Sequence, residues 1–414
     1  MENDGEYGSL CGRFPDRRES SARSRRPEDT EPVEGGGRMI YLDNAATTEL
    51  CEEAREAMRP YLEEDYGNPS SIYLFAQRAK RAVEESRRKL SELMGVSPME
   101  LYFTGGGTES DNWALISGIE STGKSHIISS KIEHHAVLRS CAYLEKRGFS
   151  VSYLDVDERG RVDPAAVLEA IRDETGLISI MSANNEIGTI EPISEIAEIA
   201  GEKGILFHTD AVQAFGQLPL PLGKSRIDLL SASAHKIRGP KGVGLLYMRR
   251  GVKLPPYLHG GEQERGRRAG TENVAAIAGF AAAAERAFRT MRERGEKERR
   301  MRDYLIRRLT TEIPDCCLNG DPEERLPNNV NVCIRGVEAE PLLLLLDQRG
   351  IAASAGSACA SGSLDPSHVI LALGASREDA YGSLRLSLDE RLSREDADRV
   401  VSEIKRIADY LRRE

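Results

Sequence analysis

The chain has 414 residues, of which 40% are hydrophobic, so it can bury at least one large core and needs neither disulfides nor a metal to fold. Its 57 Lys and Arg residues against 67 Asp and Glu residues give a formal net charge of −10, which argues against nucleic acid or an anionic membrane as a main partner. The longest apolar stretches, 274–284 and 342–346, fall short of the ~20 residues that cross a bilayer.

The N-terminal residues 1–38 combine few hydrophobic side chains with many charged ones and end close to three glycines, which predicts a disordered tail. Met39 stands just before the first structured pattern, so it is an alternative start of the chain. This tail has no apolar signal segment, and the seven cysteines are an odd number. Together these features predict a cytoplasmic protein with reduced thiols.

A large domain over 39–290 is predicted from short apolar runs that alternate with helical patterns. This alternation is typical of a sheet that helices cover on both faces. A helix is predicted over 70–94, because its apolar residues recur at three- and four-residue spacing and Gly95 ends the pattern. The runs of strand length are 101–104, 127–130, 151–154, 177–183, 205–209, 229–233 and 243–248.

A long helical pattern over 273–311 leads into a C-terminal third with a different rhythm. We place a domain boundary inside this pattern, which gives a large domain over 39–290 and a smaller domain over 291–414. The first few residues of the large domain are expected to pack with the small domain.

Residues 118–125 match the phosphate-loop pattern G-x-x-x-x-G-K-[ST]. That chemistry needs a strand before the loop and a helix after it, whereas here 113–119 is helical in pattern and 126–130 is a predicted strand. We therefore interpret the segment as a helix-to-strand turn. A nucleotide-binding protein remains the alternative from a different functional class.

Lys236 is the first candidate for covalent chemistry, because it directly follows the buried-looking strand 229–233. A half-buried lysine has a lowered pKa and can form an imine with a carbonyl, which is how pyridoxal phosphate is anchored. Lys241 is the nearby competitor for this role.

Three further patterns suit such a cofactor. Residues 104–109 follow a strand and open a helix, so their backbone N–H groups and the Thr108 hydroxyl can hold a phosphate. Asp210 lies at the carboxyl end of a strand, where it can pair with a ring nitrogen or simply cap the next segment. His134 follows another strand and can stack on the ring and move protons, although His135 competes with it.

Small residues alone form the segment 354–363, with Cys359 in the middle. Such a segment packs weakly, so its thiol can move between a buried cofactor and an external acceptor. No four-ligand spacing points to a resident metal, although Cys359 could hold an iron–sulfur cluster in transit.

Taken together, these segments resemble the pyridoxal-phosphate-dependent cysteine desulfurases of the NifS/IscS type, within the class V aminotransferase family. The resemblance covers residue 41 to the C-terminus, and the residues after Cys359 are similar to the group with a longer, mobile Cys loop. The ordered motifs that carry it are 41–48, 67–71, 103–112, 133–134, 184–188, 208–213, 233–239, 260–271 and 357–359. Glu262 departs from the pattern, since a glycine is usual there.

The resemblance implies an α/β protein of pyridoxal-phosphate fold type I, with a mostly parallel seven-stranded sheet in the large domain and a smaller α+β C-terminal domain. It implies that Lys236 forms the imine, that His134 is the acid–base group, and that Cys359 accepts sulfur. Further implied cofactor contacts are Gly107, Thr108, Asn185, Asp210, Gln213, Ser233 and His235, joined by Thr271 from the other subunit of a homodimer. Asn44 and Arg385 would bind the substrate.

The implied reaction converts L-cysteine to L-alanine and leaves a persulfide on Cys359. An iron–sulfur scaffold or another sulfur-acceptor protein would then take the sulfur. A selenocysteine lyase or another class V enzyme is the alternative within the same fold, and it would not require Cys359.

Overall fold

A seven-stranded sheet forms the centre of the structure, a computed structural model that describes residues 38–220, 222–355 and 365–413. In the described residues the strands are β1 (Ile40–Tyr41), β2 (Leu101–Thr104), β3 (His126–Ser130), β4 (Ser150–Leu154), β5 (Thr175–Ser179), β6 (Leu206–Asp210), β7 (Leu229–Ser233), β8 (Gly244–Met248), β9 (Cys316–Leu318), β10 (Asn329–Ile334), β11 (Ile351–Ala352) and β12 (Ser383–Ser387). The strand order in the central sheet is β2-β8-β7-β6-β5-β3-β4, and β8 alone runs opposite to the other six strands. The predicted α/β fold with a mostly parallel seven-stranded sheet is therefore confirmed.

Helices cover both faces of this sheet, and others pack around a second, smaller sheet. They are α1 (Glu52–Glu63), α2 (Leu74–Met94), α3 (Gly107–Thr122), α4 (His135–Glu145), α5 (Pro164–Ala170), α6 (Ile193–Glu202), α7 (Gln263–Gly266), α8 (Val274–Glu312), α9 (Ala339–Asp347), α10 (His368–Ala372), α11 (Arg377–Tyr381) and α12 (Arg394–Leu411). The predicted helix over 70–94 begins later, at Leu74. The cause is local, because Asn68 Oδ1 accepts the N–H of Ser70 at 3.0 Å and holds this stretch in a turn.

Burial on both faces explains the apolar runs of the central strands. Ile127 and Leu177 pack on one face with Trp113 of α3, whereas the adjacent Ile128 and Ile178 pack on the other. Since successive side chains in a strand point to opposite faces, two adjacent apolar residues in each of these strands fill both cores, and small or polar residues follow them toward the carboxyl end.

A second core surrounds the three-stranded antiparallel sheet β12-β10-β9. The helix α8 contributes to both cores, with Phe280 in the first and Leu305 and Leu309 in the second. Strand β1 pairs in parallel with β11, so Ile40 belongs to the second core. The division into domains at 39–290 and 291–414 stays a prediction.

The phosphate-loop pattern lies at the end of a helix. Helix α3 ends at Thr122, Gly123 adopts φ +68°, and β3 begins at His126. The predicted helix-to-strand turn is confirmed, because a left-handed glycine commonly ends a helix. No helix in the described parts of the chain is long and apolar enough to span a membrane.

Glu264 fastens the loop 260–271 to the central sheet. Its carboxylate accepts hydrogen bonds from both terminal nitrogens of Arg87, at 2.8 and 2.6 Å, and from the backbone N–H of Phe103 at 3.0 Å. Glu264 is buried, whereas Glu262, the residue that departs from the family pattern, is exposed and makes no such contact with the sheet.

The substitution Glu264→Ala is expected to lower the free energy of unfolding by ~3–5 kcal/mol, because it leaves the largely buried guanidinium of Arg87 without its counter-charge. Urea denaturation of the two variants Glu264→Ala and Glu262→Ala measures this effect. Glu262→Ala is the control and should shift the midpoint little. Equal midpoints for the two variants would show that the ion pair does not fasten the loop.

Candidate active site

The candidate active site lies at the carboxyl ends of the parallel strands. Asp210 ends β6, and Ser233 ends β7. Lys236 follows β7 in a short 3-10 turn, and His134 lies between β3 and α4. Ligands of open α/β sheets bind at this edge, where the loops after neighbouring strands meet.

Lys236 is half-buried and contacts the N-terminal motif. Its Nζ donates hydrogen bonds to the backbone carbonyls of Ala45 at 2.6 Å and Ala46 at 2.7 Å. The side-chain amide of Gln213 also donates to the Ala45 carbonyl, at 3.0 Å. Two of the residues predicted from separate motifs, Lys236 and Gln213, therefore converge on one backbone segment.

Asp210 is buried at the same edge. Its Oδ1 accepts the backbone N–H of Val212 at 2.8 Å, so the capping role is present. Burial raises the pKa of Asp210 to about 6, while nearby Lys236 favours the charged form. The capping bond uses only one carboxylate oxygen, so the other can still serve a ring nitrogen.

Asp111 of α3 is a site residue that our sequence analysis missed. It is buried, its Oδ1 has no hydrogen-bond partner within the described residues, and that atom lies 3.7 Å from Nε2 of His208. Burial and the neighbouring carboxylate of Asp210 raise the pKa of Asp111 well above its ordinary range. The sequence does contain a pattern that points to Asp111. It lies four residues after Gly107 and three before Ala114, so all three share one face of α3, and that face is buried.

His134, not His135, faces these carboxylates. One ligand atom each of Asp111, His134 and Asp210 lies within 4.8 Å of the others. Nδ1 of His134 accepts the N–H of Ala136 at 3.1 Å, and burial together with Lys236 lowers the pKa of His134 to about 4. The ring is thus neutral at pH 7, with its lone pair on Nδ1 and its proton on Nε2.

A cavity of about 680 Å³ opens at the start of α3. At Gly107 a Cβ atom would lie 2.6 Å from Cγ2 of Val212, and Gly106 adopts φ +151°, so both positions require glycine. The cavity brings together the predicted Gly107, Thr108, Ser233 and His235, and it adds Thr47, Gly105, Gly106, Glu109, Asn112, Lys241, Gly242 and Tyr257. Helix-start N–H groups with Thr and Ser hydroxyls and a lysine fit a phosphate group.

The predicted substrate residues meet beside β12. Arg385 is buried; its Nη2 donates to Asp43 Oδ1 at 2.8 Å and its Nη1 to the carbonyl of Asn185 at 3.0 Å. Asn44 donates from Nδ2 to the carbonyl of Ser387, also on β12, at 2.9 Å. The buried Nε of Arg385 has no partner within the described residues, which fits a group that receives a carboxylate.

Of the remaining predicted residues, one is not brought to this site and one is not described by the structure. Thr271 is exposed and does not line the cavity. Cys359 lies outside the described residues, but both flanks of its segment are fixed at the site. Ser354 exchanges backbone hydrogen bonds with Arg385, at 3.2 and 2.7 Å, and Ser367 donates to Glu186 Oε2 at 2.5 Å.

His208 makes stability depend on pH. It is fully buried between the hydroxyls of Ser179 at 2.8 Å and Ser231 at 3.0 Å, and burial lowers its pKa from 6.5 to about 3. Between these two values the unfolded chain binds a proton at His208 and the folded chain does not. This group therefore makes the free energy of unfolding fall as the pH drops from 6.5 toward 3, by at most ~1.4 kcal/mol per unit.

The variant His208→Gln should flatten that dependence. Urea midpoints of the variant and the wild type at pH 7.5, 6 and 5 test the effect, because other buried groups contribute equally to both proteins. Parallel curves over this range would contradict a neutral, buried His208.

Comparisons with known proteins agree with this geometry. A profile described as aminotransferase class-V matches residues 40–400. Cysteine desulfurase IscS of Methanosarcina thermophila is 53% identical over 385 residues, which are 92% of this chain and 95% of that protein.

Solved structures are similar as well. A NifS-like protein is 38% identical with a TM-score of 0.85, and the match covers 90% of this chain and all of the other. The structure of SspA in complex with cysteine is 35% identical with a TM-score of 0.76, and covers 85% of this chain and 99% of the other.

Proposed function

The chain belongs to the aminotransferase class-V family, within which it is a pyridoxal-phosphate-dependent cysteine desulfurase, and we propose that it passes the sulfur of L-cysteine through a persulfide on Cys359 to an acceptor protein. The acceptor is an iron–sulfur scaffold or another protein that receives sulfur. The enzyme acts as a homodimer in the cytoplasm, and the exposed Thr271 completes the phosphate site of the other subunit.

The residues around the cavity divide the binding of the cofactor between them. The N–H groups at Gly107 and Thr108 with Ser233 and His235 hold the phosphate, Lys236 is the covalent anchor, and Gln213 and Asn185 contact the ring or the substrate. When bound, pyridoxal phosphate supplies an electron sink for the charge left when the substrate loses its α-proton. Asp210 pairs with the ring nitrogen and stabilises its protonated form.

Arg385 and Asn44 hold the substrate carboxylate. The guanidinium is already oriented by Asp43 and Asn185, so its planar fork loses little freedom when the carboxylate binds. The neutral His134 has its lone pair on Nδ1, which accepts the N–H of Ala136, so it takes up a proton there only by giving up that hydrogen bond.

Cys359 attacks the substrate sulfur as a thiolate. The new S–S bond forms as the C–S bond breaks, and the three-carbon fragment takes up two protons to become alanine, one at the carbon that carried the sulfur and one in place of the lost α-proton. Because an ordinary thiol has a pKa of ~8.5, the substrate or His134 must remove its proton. Ser354 and Ser367, which flank this segment in the chain, are held at Arg385 and Glu186. This attachment supports a role for the segment in carrying the persulfide to the acceptor.

The arrangement of Lys236 and Asp210 at one sheet edge, beside the anion cavity, carries the proposal. Its test is alanine formed from L-cysteine by the purified protein with a reductant present, after the visible absorption has been recorded. A yellow protein that forms alanine and matching sulfide supports the proposal. A colourless protein that does not take up the cofactor would overturn it, and a yellow protein that acts only on L-selenocysteine would favour the lyase.

A further inference from the structure

Two cysteines outside the active site face each other on the small sheet. Cys317 of β9 and Cys333 of β10 are partners in the antiparallel register, and neither belongs to a motif that the sulfur chemistry uses. Both are free thiols in the structure, with Cys317 exposed and Cys333 buried.

The backbone hydrogen bonds on either side of Cys317 and Cys333 show whether the two residues form a hydrogen-bonded or a non-hydrogen-bonded pair of the antiparallel ladder. The N–H of Arg335 donates to the Asp315 carbonyl at 3.1 Å, and the N–H of Asn319 donates to the Asn331 carbonyl at 2.9 Å. Hydrogen-bonded pairs alternate along an antiparallel ladder, so Cys317 and Cys333, midway between those two pairs, are also a hydrogen-bonded pair. Their Cα atoms are then ~5.5 Å apart, within the range of ~4.4–6.8 Å found for disulfides.

The bond that could form here is a readily reduced one. Cβ atoms directly opposite in a sheet lie ~4.5–5.5 Å apart, and a disulfide needs ~3.5–4.5 Å. Closure therefore draws the two strands slightly together, and such strain makes a disulfide easier to reduce.

The surroundings assign different roles to the two thiols. Sγ of Cys333 donates to the Asp379 carbonyl at 3.2 Å, which holds it beneath the surface, while Cys317 is open to a small reagent. The adjacent Cys333 thiol, together with the charge of Arg335, lowers the pKa of Cys317 to about 6. Cys317 is the attacking thiolate, and Cys333 is the thiol that resolves the mixed disulfide.

We propose that Cys317 and Cys333 form a reversible dithiol–disulfide site, separate from Cys359, that is oxidised by low-molecular-weight disulfides. The Cys317 thiolate attacks one sulfur of the small disulfide, forms a mixed disulfide and releases the first small thiol. Cys333 then loses its proton and attacks Sγ of Cys317, which releases the second small thiol. The two cysteines lose two electrons, and the small disulfide gains them.

The experiment treats the cofactor-loaded enzyme with oxidised glutathione at pH 7, blocks the remaining thiols by alkylation and digests the protein with trypsin. Cleavage at Arg308, Arg325 and Arg335 separates the two cysteines into peptides 309–325 and 326–335. A disulfide-linked pair of these peptides, lost on treatment with dithiothreitol, is the expected result. If Cys317 and Cys333 both stay alkylatable in the wild type, the proposal is overturned.

Two variants make the assignment specific. Cys316 shares the first peptide but packs on the opposite side, against the second core, so Cys316→Ser should leave the linked pair unchanged. Cys333→Ser should trap glutathione on Cys317, with at least ~10-fold more mixed disulfide than the wild type, since the resolving thiol is gone. A linked pair that disappears in Cys316→Ser, or a Cys333→Ser variant without trapped glutathione, would overturn the proposal. These readouts do not depend on alanine formation.

Discussion

Replacement of Lys236 by alanine is expected to reduce alanine formation from L-cysteine by at least ~10³-fold, because the covalent anchor of the cofactor is lost. The site should otherwise keep its shape. The Ala45 carbonyl, which Lys236 contacts, retains its hydrogen bond from Gln213. The phosphate cavity at the start of α3 does not involve the Lys236 side chain. The variant should therefore still bind pyridoxal phosphate, but with a shifted visible absorption.

Lys241→Ala is the matched control for this experiment. Lys241 is exposed and lines the phosphate cavity. Its loss should therefore weaken cofactor binding, while the turnover rate at saturating cofactor should stay unchanged. Alanine formation and visible spectra of the two variants, measured with excess cofactor, separate anchoring from phosphate binding. Loss of turnover in Lys241→Ala together with an active Lys236→Ala would reverse the assignment.

Replacement of Cys359 by alanine is the second large effect. It is expected to leave the cofactor spectrum unchanged and to reduce sulfur release by at least ~10³-fold, because the nucleophile that takes the sulfur is missing. The anchors of the segment, Ser354 on Arg385 and Ser367 on Glu186, do not involve the thiol. Persulfide on the enzyme after a single turnover, measured by mass spectrometry, checks this directly.

The control here is Cys317→Ala, which removes an exposed thiol with a lowered pKa and leaves the sulfur chemistry intact. Full sulfur transfer by Cys359→Ala, or its loss in Cys317→Ala, would contradict the role of Cys359. The same pair of variants separates the sulfur-accepting thiol from the proposed dithiol site.

The features predicted best from the sequence were the strands and the site residues next to them, because local patterns and the order of the motifs determine both. Runs such as 127–130 and 229–233 became buried strands, because their adjacent apolar residues are covered on both faces of the sheet. Lys236, Asp210 and His134 each follow such a strand, so placing the strands also placed these side chains at one edge of the sheet.

Sequence patterns could not predict contacts between residues that are far apart in the chain. The partner of Glu264 is Arg87, 177 residues earlier, and no local pattern links the two. Asp111 could be identified from the sequence only by noticing that a carboxylate lies on the face of α3 that is otherwise apolar or small. The predicted strand over 177–183 also ended early, at Ser179, although the N–H groups of Ile180 and Ser182 still donate to the carbonyls of His208 and Asp210. The role of Thr271 concerns a second chain and stays a prediction.

The attachment of the N-terminal motif to the last strand has a consequence for synthesis on the ribosome. Ala45 donates its N–H to Oγ of Ser387 at 2.8 Å, and Ile40 pairs with Ile351. The segment that contacts Lys236 therefore lacks its support until β12 has been made. The central sheet can assemble while translation continues, but the catalytic pocket is completed only after β12 has left the ribosome, and a product truncated before β12 would fold its sheet without gaining activity.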